Sequence, residues 1–243
     1  MMKTKNKKAA QIAARNNHFA SINVAKKRRR SGPVLERGKP SRKPNLTILI
    51  VCEGKNTEKS YFDQFKLSTA TIETVGKGYN TVSLVKQAIR LRKKGNYKKV
   101  WCVFDADPKP DNPKQSQNFN TAVRLATGEG FGVAYSNQAF EYWLILHFED
   151  HQGGKMDRTD YDNKINSYIK KSGASYDGNG SKIVTEEFFD LLMSIDGKTK
   201  KERVDLAIER AERLYKNWNH RNPAIEESTT RVFELVRELR SYQ

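Results

Sequence analysis

The stretch 46-LTILIVC-52 is apolar and β-branched almost throughout, with no charged position. A run without a polar face predicts a strand covered on both sides, as strands of a parallel sheet are. Glu53 and Gly54 mark the turn that ends it. From Thr57 to about Leu67 the period becomes helical, with Tyr61, Phe62 and Phe65 on the inward stripe. The alternation then repeats. Thr71 to Val75 predicts a short strand, Gly76 and Gly78 a loop, and Asn80 or Thr81 the cap of a second helix. That helix carries Val82, Val85, Ala88, Ile89 and Leu91 and stops at Gly95. Val100 to Phe104 predicts a third strand, which runs into Asp105, Ala106, Asp107 and Pro108. After a polar loop over 109–116, Phe119 to Ala126 predicts a helix, Phe131 to Tyr135 a fourth strand, and Ala139 to Phe148 an apolar helix.

Strand and helix in alternation imply an α/β fold, a parallel sheet with helices on both faces and its strand C-termini along one rim. Ligands in such sheets bind at that rim, where the strand order reverses. Beyond residue 150 the pattern is helical. Tyr161–Lys171 and Thr185–Ser194 flank the glycine-rich loop Gly173–Gly180. Lys201–Trp218 and Glu226–Leu239 are longer and amphipathic, the last with Val232, Leu235, Val236 and Leu239 inward. The expected organisation is an arm over 1–45, a sheet domain over 46–150 and a helical addition over 151–243 packed on the sheet domain.

Charge divides the chain in the same way. The net charge is +17, yet residues 1–45 hold fourteen Lys and Arg against the single acid Glu36, which leaves +4 for the rest. An arm of this kind is polar, poor in aromatics and expected to be disordered when free. Counterion release draws it to polyanions, nucleic acid first, with Lys27, Arg28, Arg29 and Arg30 as its densest cluster. The folded part is only mildly basic. Cys52 and Cys102 sit in strand-like runs and read as small buried hydrophobes of a reducing cytosol, with no zinc spacing between them. No apolar stretch is long enough to span a membrane, and no apolar segment follows the charged start, so a cytoplasmic protein is expected.

The candidate chemistry lies where two strands end. Glu53 follows the first strand, and Asp105 and Asp107 follow the third. If those strands are neighbours, the three carboxylates converge on one rim. Extended backbone points residues i and i+2 the same way, and Pro108 biases Asp107 away from the helical region. Carboxylates this close repel at neutral pH, and a hard divalent cation such as Mg²⁺ or Mn²⁺ removes that cost. Gly54 allows backbone to approach a phosphate, and Lys55 can neutralise one.

Three segments, read together, resemble the RloB-like family. They are 50-IVCEGKNTEKSYF-62, 135-YSNQAFEYWLILHF-148, and Asn222-Pro223 followed by Thr229, Thr230 and Val232; with 103-VFDADP-108 they span roughly residues 46–240. That family is similar to Toprim proteins and to the nuclease part of the OLD family. The resemblance implies a Toprim-type four-stranded sheet, with metal-binding roles falling on Glu53, Asp105 and Asp107. It further implies Glu58 as a second metal-holding acid, Glu141 as a metal ligand or general base, and Asn137 on the same rim. His147 is a candidate for catalysis, although about six residues around a helix from Glu141 it also reads as a core histidine.

The leading expectation is a metal-dependent nuclease acting on DNA or RNA, tRNA included, in bacterial antiviral defence and abortive infection. A nucleotidyl transferase and a non-catalytic binding or sensor subunit stay open beside it. A defence-system partner protein and self-association are also expected, and membrane attachment is not.

Overall fold

The computed structural model describes residues 13–21, 46–76, 78, 80–108 and 112–243. Two compact units are resolved, Met1–Pro44 and Asn45–Gln243. In the first, residues 13–21 form a short helix (α1) with exposed side chains. The basic cluster Lys27 to Arg30 and, apart from that helix, the arm expected to be disordered fall outside the described residues.

In the second unit, β1 (Leu46–Cys52), β2 (Ala70–Gly76), β3 (Lys99–Asp105) and β4 (Gly132–Ser136) form a four-stranded sheet in the order β2-β1-β3-β4. All three pairings are parallel. Between them run α2 (Thr57–Asp63), α3 (Thr81–Lys94) and α4 (Pro113–Gly128), and after them α5 (Glu141–Leu146), α6 (Tyr161–Ile169), α7 (Glu186–Met193), α8 (Arg203–Tyr215) and α9 (Val232–Arg240). The predicted caps hold at α3, where the Asn80 side chain accepts from the Ser83 N–H at 3.1 Å.

The period-two pleat sorts each strand between two cores. Leu49, Val51, Val100, Cys102, Phe104, Val133 and Tyr135 pack with α3 and α4 on one face. Ile48, Ile50, Cys52, Trp101, Val103 and Ala134 pack on the other with α2 and the helices from α5 to α9. The helices after residue 150 thus share a core with the strands. Both cysteines are buried and unpaired, as expected. Helix α5 is apolar on every side and correspondingly buried on every side after its first residue, Glu141.

One predicted helix starts late. Residues 226–231, expected to open the last helix, instead run beside the outer edge of β4. Thr230 bridges antiparallel to Ser136, the Asn137 N–H donates to the Thr229 carbonyl at 2.9 Å, and the Arg231 N–H donates to the Tyr135 carbonyl at 2.7 Å. This backbone pairing covers the sheet edge, which would otherwise present unmatched amides and carbonyls. Helix periodicity carries no information about that distant edge. Among the described residues no helix is long and apolar enough to cross a membrane.

Candidate functional site

The strand order reverses between β1 and β3, and each of these strands delivers an acid to the rim. The Glu53 N–H donates to the Val103 carbonyl at 2.9 Å, which ties the turn after β1 to β3. Its Oε2 accepts from the Asp105 N–H at 3.1 Å. Asp105 has the pleat parity of Trp101 and Val103, so it faces the layer that contains α2 and α5. There its Oδ2 accepts from the Phe140 N–H at 3.1 Å, at the entry to α5.

Glu58 lies in the first turn of α2 and is only 6% exposed. Its Oε1 accepts from the Gly54 N–H at 3.2 Å. A Cβ placed on Gly54 would stand 2.1 Å from Glu58 Oε2, so the carboxylate occupies space that only glycine leaves open. Glu141 opens α5. Its Oε1 accepts from the Tyr176 hydroxyl at 2.7 Å, and the Thr57 hydroxyl lies 3.1 Å from the same phenolic oxygen. Tyr176 is clamped in turn by Asn166, whose Nδ2 donates to its carbonyl at 2.8 Å and whose Oδ1 accepts from its N–H at 3.2 Å.

Glu53, Glu58, Asp105 and Glu141 line one cleft of about 220 Å³, with Lys55, Arg158 and Lys182 also in its walls. The charges strain against one another. Burial, and then the negative charges of nearby Glu58 and more remote Asp107, push the Glu53 carboxyl up to about 7 against the pull of the Asp105 N–H. Burial raises Glu58 as well, with Glu141 adding to it, while its own N–H, the Gly54 N–H and Lys182 pull back. Asp105 is raised well above its usual range, by burial and then by Glu58, Glu141 and Glu53.

An all-oxygen acidic cleft with excess negative charge suits a hard divalent cation in its donor chemistry. Among the described residues, however, no three acidic, His or Cys side chains are drawn together as a ready-made cage. That arrangement fits the Mg²⁺ habit of taking one or two carboxylates and completing its shell with water and phosphate.

Asp107 does not join the cleft. Strand β3 ends at Asp105, and Asp107 takes a left-handed φ of 40°, not the extended geometry expected before Pro108. The Gln115 side chain donates to the carbonyls of Ala106 and Asp107, at 3.2 and 2.6 Å, and so fixes this turn. The Asp107 carboxylate pairs with Arg158 and lines a neighbouring cavity.

Asn137 is on the rim but fully buried, with Nδ2 donating to the Ala224 carbonyl at 3.2 Å. It too lines the neighbouring cavity and not the cleft. His147 is outside both. Its Nδ1 lies 2.9 Å from the Trp143 carbonyl one helical turn back, and burial pushes its pKa down to about 3, so it is a neutral core residue at neutral pH. Gly54 and Lys55 stand in the cleft as expected. Tyr176, Thr57, Arg158 and Lys182 were not anticipated. A tyrosine in a glycine-rich loop and isolated basic residues give no periodic signal, and only the fold brings them beside acids distant in sequence, Tyr176 to Glu141 and Arg158 to Asp107 among them.

Family models and curated proteins give one further finding. No curated protein matches the chain. A family model described as RloB-like protein matches residues 48–239, four-fifths of the sequence and the whole rim from Glu53 to Glu141. The chain belongs to the RloB-like family.

Proposed function

We propose that the cleft hydrolyses phosphodiester bonds of DNA or RNA with the help of Mg²⁺ or Mn²⁺, in a bacterial antiviral response. The observation that carries the chemistry is that four carboxylates, from the turn after β1, from α2, from β3 and from α5, line one small cleft with basic residues in its walls. The defence role rests on the family resemblance alone.

Glu53 and Asp105 are the residues proposed to hold the ion, with Glu58 as the next donor. When bound, the ion supplies Lewis-acid polarisation of the phosphoryl group. The protein's own groups do the rest. Lys55, Lys182 and Arg158 draw the phosphate into an otherwise repulsive cleft. Tyr176 fixes Glu141 through Oε1 and so orients its carboxylate as the proton acceptor for the attacking water. The backbone N–H groups of Asp105 and Phe140 keep the two ligating acids in place.

The test is direct. Purified protein is incubated with single-stranded and duplex DNA, total RNA and tRNA, in EDTA, Mg²⁺ or Mn²⁺, beside Glu53→Gln. Cleavage that needs the metal and disappears in the variant supports the reading. Tight binding of every substrate with no metal-dependent turnover defeats it in favour of a binding or sensor subunit, and templated nucleotide incorporation defeats it in favour of transfer.

A further inference from the structure

A second cavity, of about 890 Å³, opens beside the acidic cleft, and Arg158 stands in the wall of both. Asp107, Pro108, Asn137, Lys155, Trp218 and Ile225 are among its lining residues. Two of the five large hydrophobic side chains exposed among the described residues are here, Trp218 at 39% and Ile225 at 60%. The cavity is no accident of a loose loop, because its wall is tied to the sheet from several directions. Buried Glu226 accepts from the Tyr135 hydroxyl at 3.1 Å and lies 3.0 Å from His220 Nδ1, Thr229 donates to the Glu226 carbonyl at 2.6 Å, and Ser228 bonds to the Gly154 carbonyl.

The lining combines an aromatic face with charged and polar groups. Trp218 offers an exposed aromatic surface. Lys155 and Arg158 offer positive charge, set among the acids Asp107, Asp157 and Glu227. Asn137, behind the wall, keeps a buried Oδ1 with no hydrogen-bond partner among the described residues. An aromatic surface, cations and a polar wall next to a phosphodiester-cleaving cleft suit one ligand class. Volume agrees, since pockets for such ligands run from about 300 to 1,000 Å³.

We infer that this cavity receives an unpaired nucleotide adjoining the scissile phosphate, its base stacked on Trp218 and its phosphate passing Arg158 toward the cleft. A base inside a duplex has both faces covered by its neighbours and cannot stack on a side chain, so the inference makes the substrate a single strand or a loop. It rests on the phosphodiester reading for its location but not for its test.

The test is binding without turnover, in EDTA, with the full chain. The chain has three tryptophans, and Trp101 and Trp143 are buried, so ligand-dependent quenching of tryptophan emission reports on Trp218. A single-stranded oligonucleotide is expected to quench that emission, and its blunt duplex is not. Trp218→Ala is expected to weaken single-strand binding about tenfold, the scale of one stacked base, and to leave duplex binding through the basic arm unchanged. Trp218→Phe, which keeps a ring, recovers most of the affinity. Equal quenching by duplex and single strand, or unchanged single-strand affinity in Trp218→Ala, overturns the inference. So does a free mononucleotide that binds as tightly as the strand. Quenching without any cleavage would uphold the pocket while the nuclease reading fails; cleavage that is indifferent to Trp218 would do the reverse.

Discussion

Asp105 and Asp107 are two residues apart in one short motif, and they serve two different regions. Asp105 is half-buried among Glu53, Glu58 and Glu141, with a backbone N–H on its carboxylate, and among the described residues no ion pair offsets its charge. Asp107 pairs with Arg158 and faces the larger cavity. The first environment strengthens the case for a cation from outside the chain; the second supplies its cation from within. Charge compensation, more than spacing from a strand, separates a candidate metal ligand from an acid that positions a basic side chain.

The sharpest way to break this contrast is to neutralise each acid in turn. Asp105→Asn is expected to lower metal-dependent cleavage on the order of 10³-fold, the several kcal/mol that a metal contributes to a phosphoryl transition state. Asp107→Asn is expected to cost less than about tenfold, because it loosens the partly exposed pair with Arg158. Equal losses measured in the same cleavage assay would erase the distinction.

Gly54→Ala comes next. The new methyl would meet the Glu58 carboxylate at 2.1 Å and move it. A displacement on the ångström scale at such a site costs about 100-fold in rate. The loss should appear in turnover while single-strand binding, which the other cavity governs, stays as it was. A fully active Gly54→Ala would remove Glu58 from the machinery.

Crowded acids also weaken the fold, so relieving them should stabilise it. Glu53→Gln keeps an acceptor for the Asp105 N–H but removes one charge from the cleft. In EDTA its Tm is expected to rise by about 2–4 °C, the yield of roughly 1 kcal/mol in a unit of this size. Added Mg²⁺ should raise the wild-type Tm and leave that of the variant nearly unmoved. A drop in Tm in EDTA would mean that the cleft's acids are not in mutual repulsion.

His147 belongs to neither region and serves as the control. Its folded pKa of about 3 lies below the ordinary 6.5, so on acidification the unfolded chain takes up the proton first. Stability is therefore lost as pH falls from 6.5 toward 3, by about 2 kcal/mol at pH 5. Denaturant titrations at pH 7 and pH 5 should show a smaller difference for His147→Gln than for the wild type, with turnover at pH 7.5 little changed. A large loss of turnover in a folded variant would return this residue to the list of catalytic candidates.

Much of this architecture was legible beforehand for a local reason. The strand 46–52 and the helix from Thr81 to Lys94 show their burial in consecutive residues, and apolar periodicity reports burial wherever neighbours in sequence share an environment. The acids at 53 and 105 were legible because a charge directly after a buried strand has to emerge at the sheet's rim. Other features depended on distant partners. Residues 226–231 look helical in isolation, yet β4 had an open edge to pair with.

By itself, then, the order of residues determined the alternating elements, the parallel sheet and the two strand ends that carry Glu53 and Asp105. Glu58 and Glu141 were named beside them by the family resemblance, but only the tertiary structure decided that Asp107 turns to Arg158, that Tyr176 reaches Glu141 and that Trp218 lines the neighbouring cavity. The physical reason is range. Backbone propensity and periodicity act over a few residues, whereas charge balance and hydrogen-bond closure act across whatever the fold brings within about 3 Å.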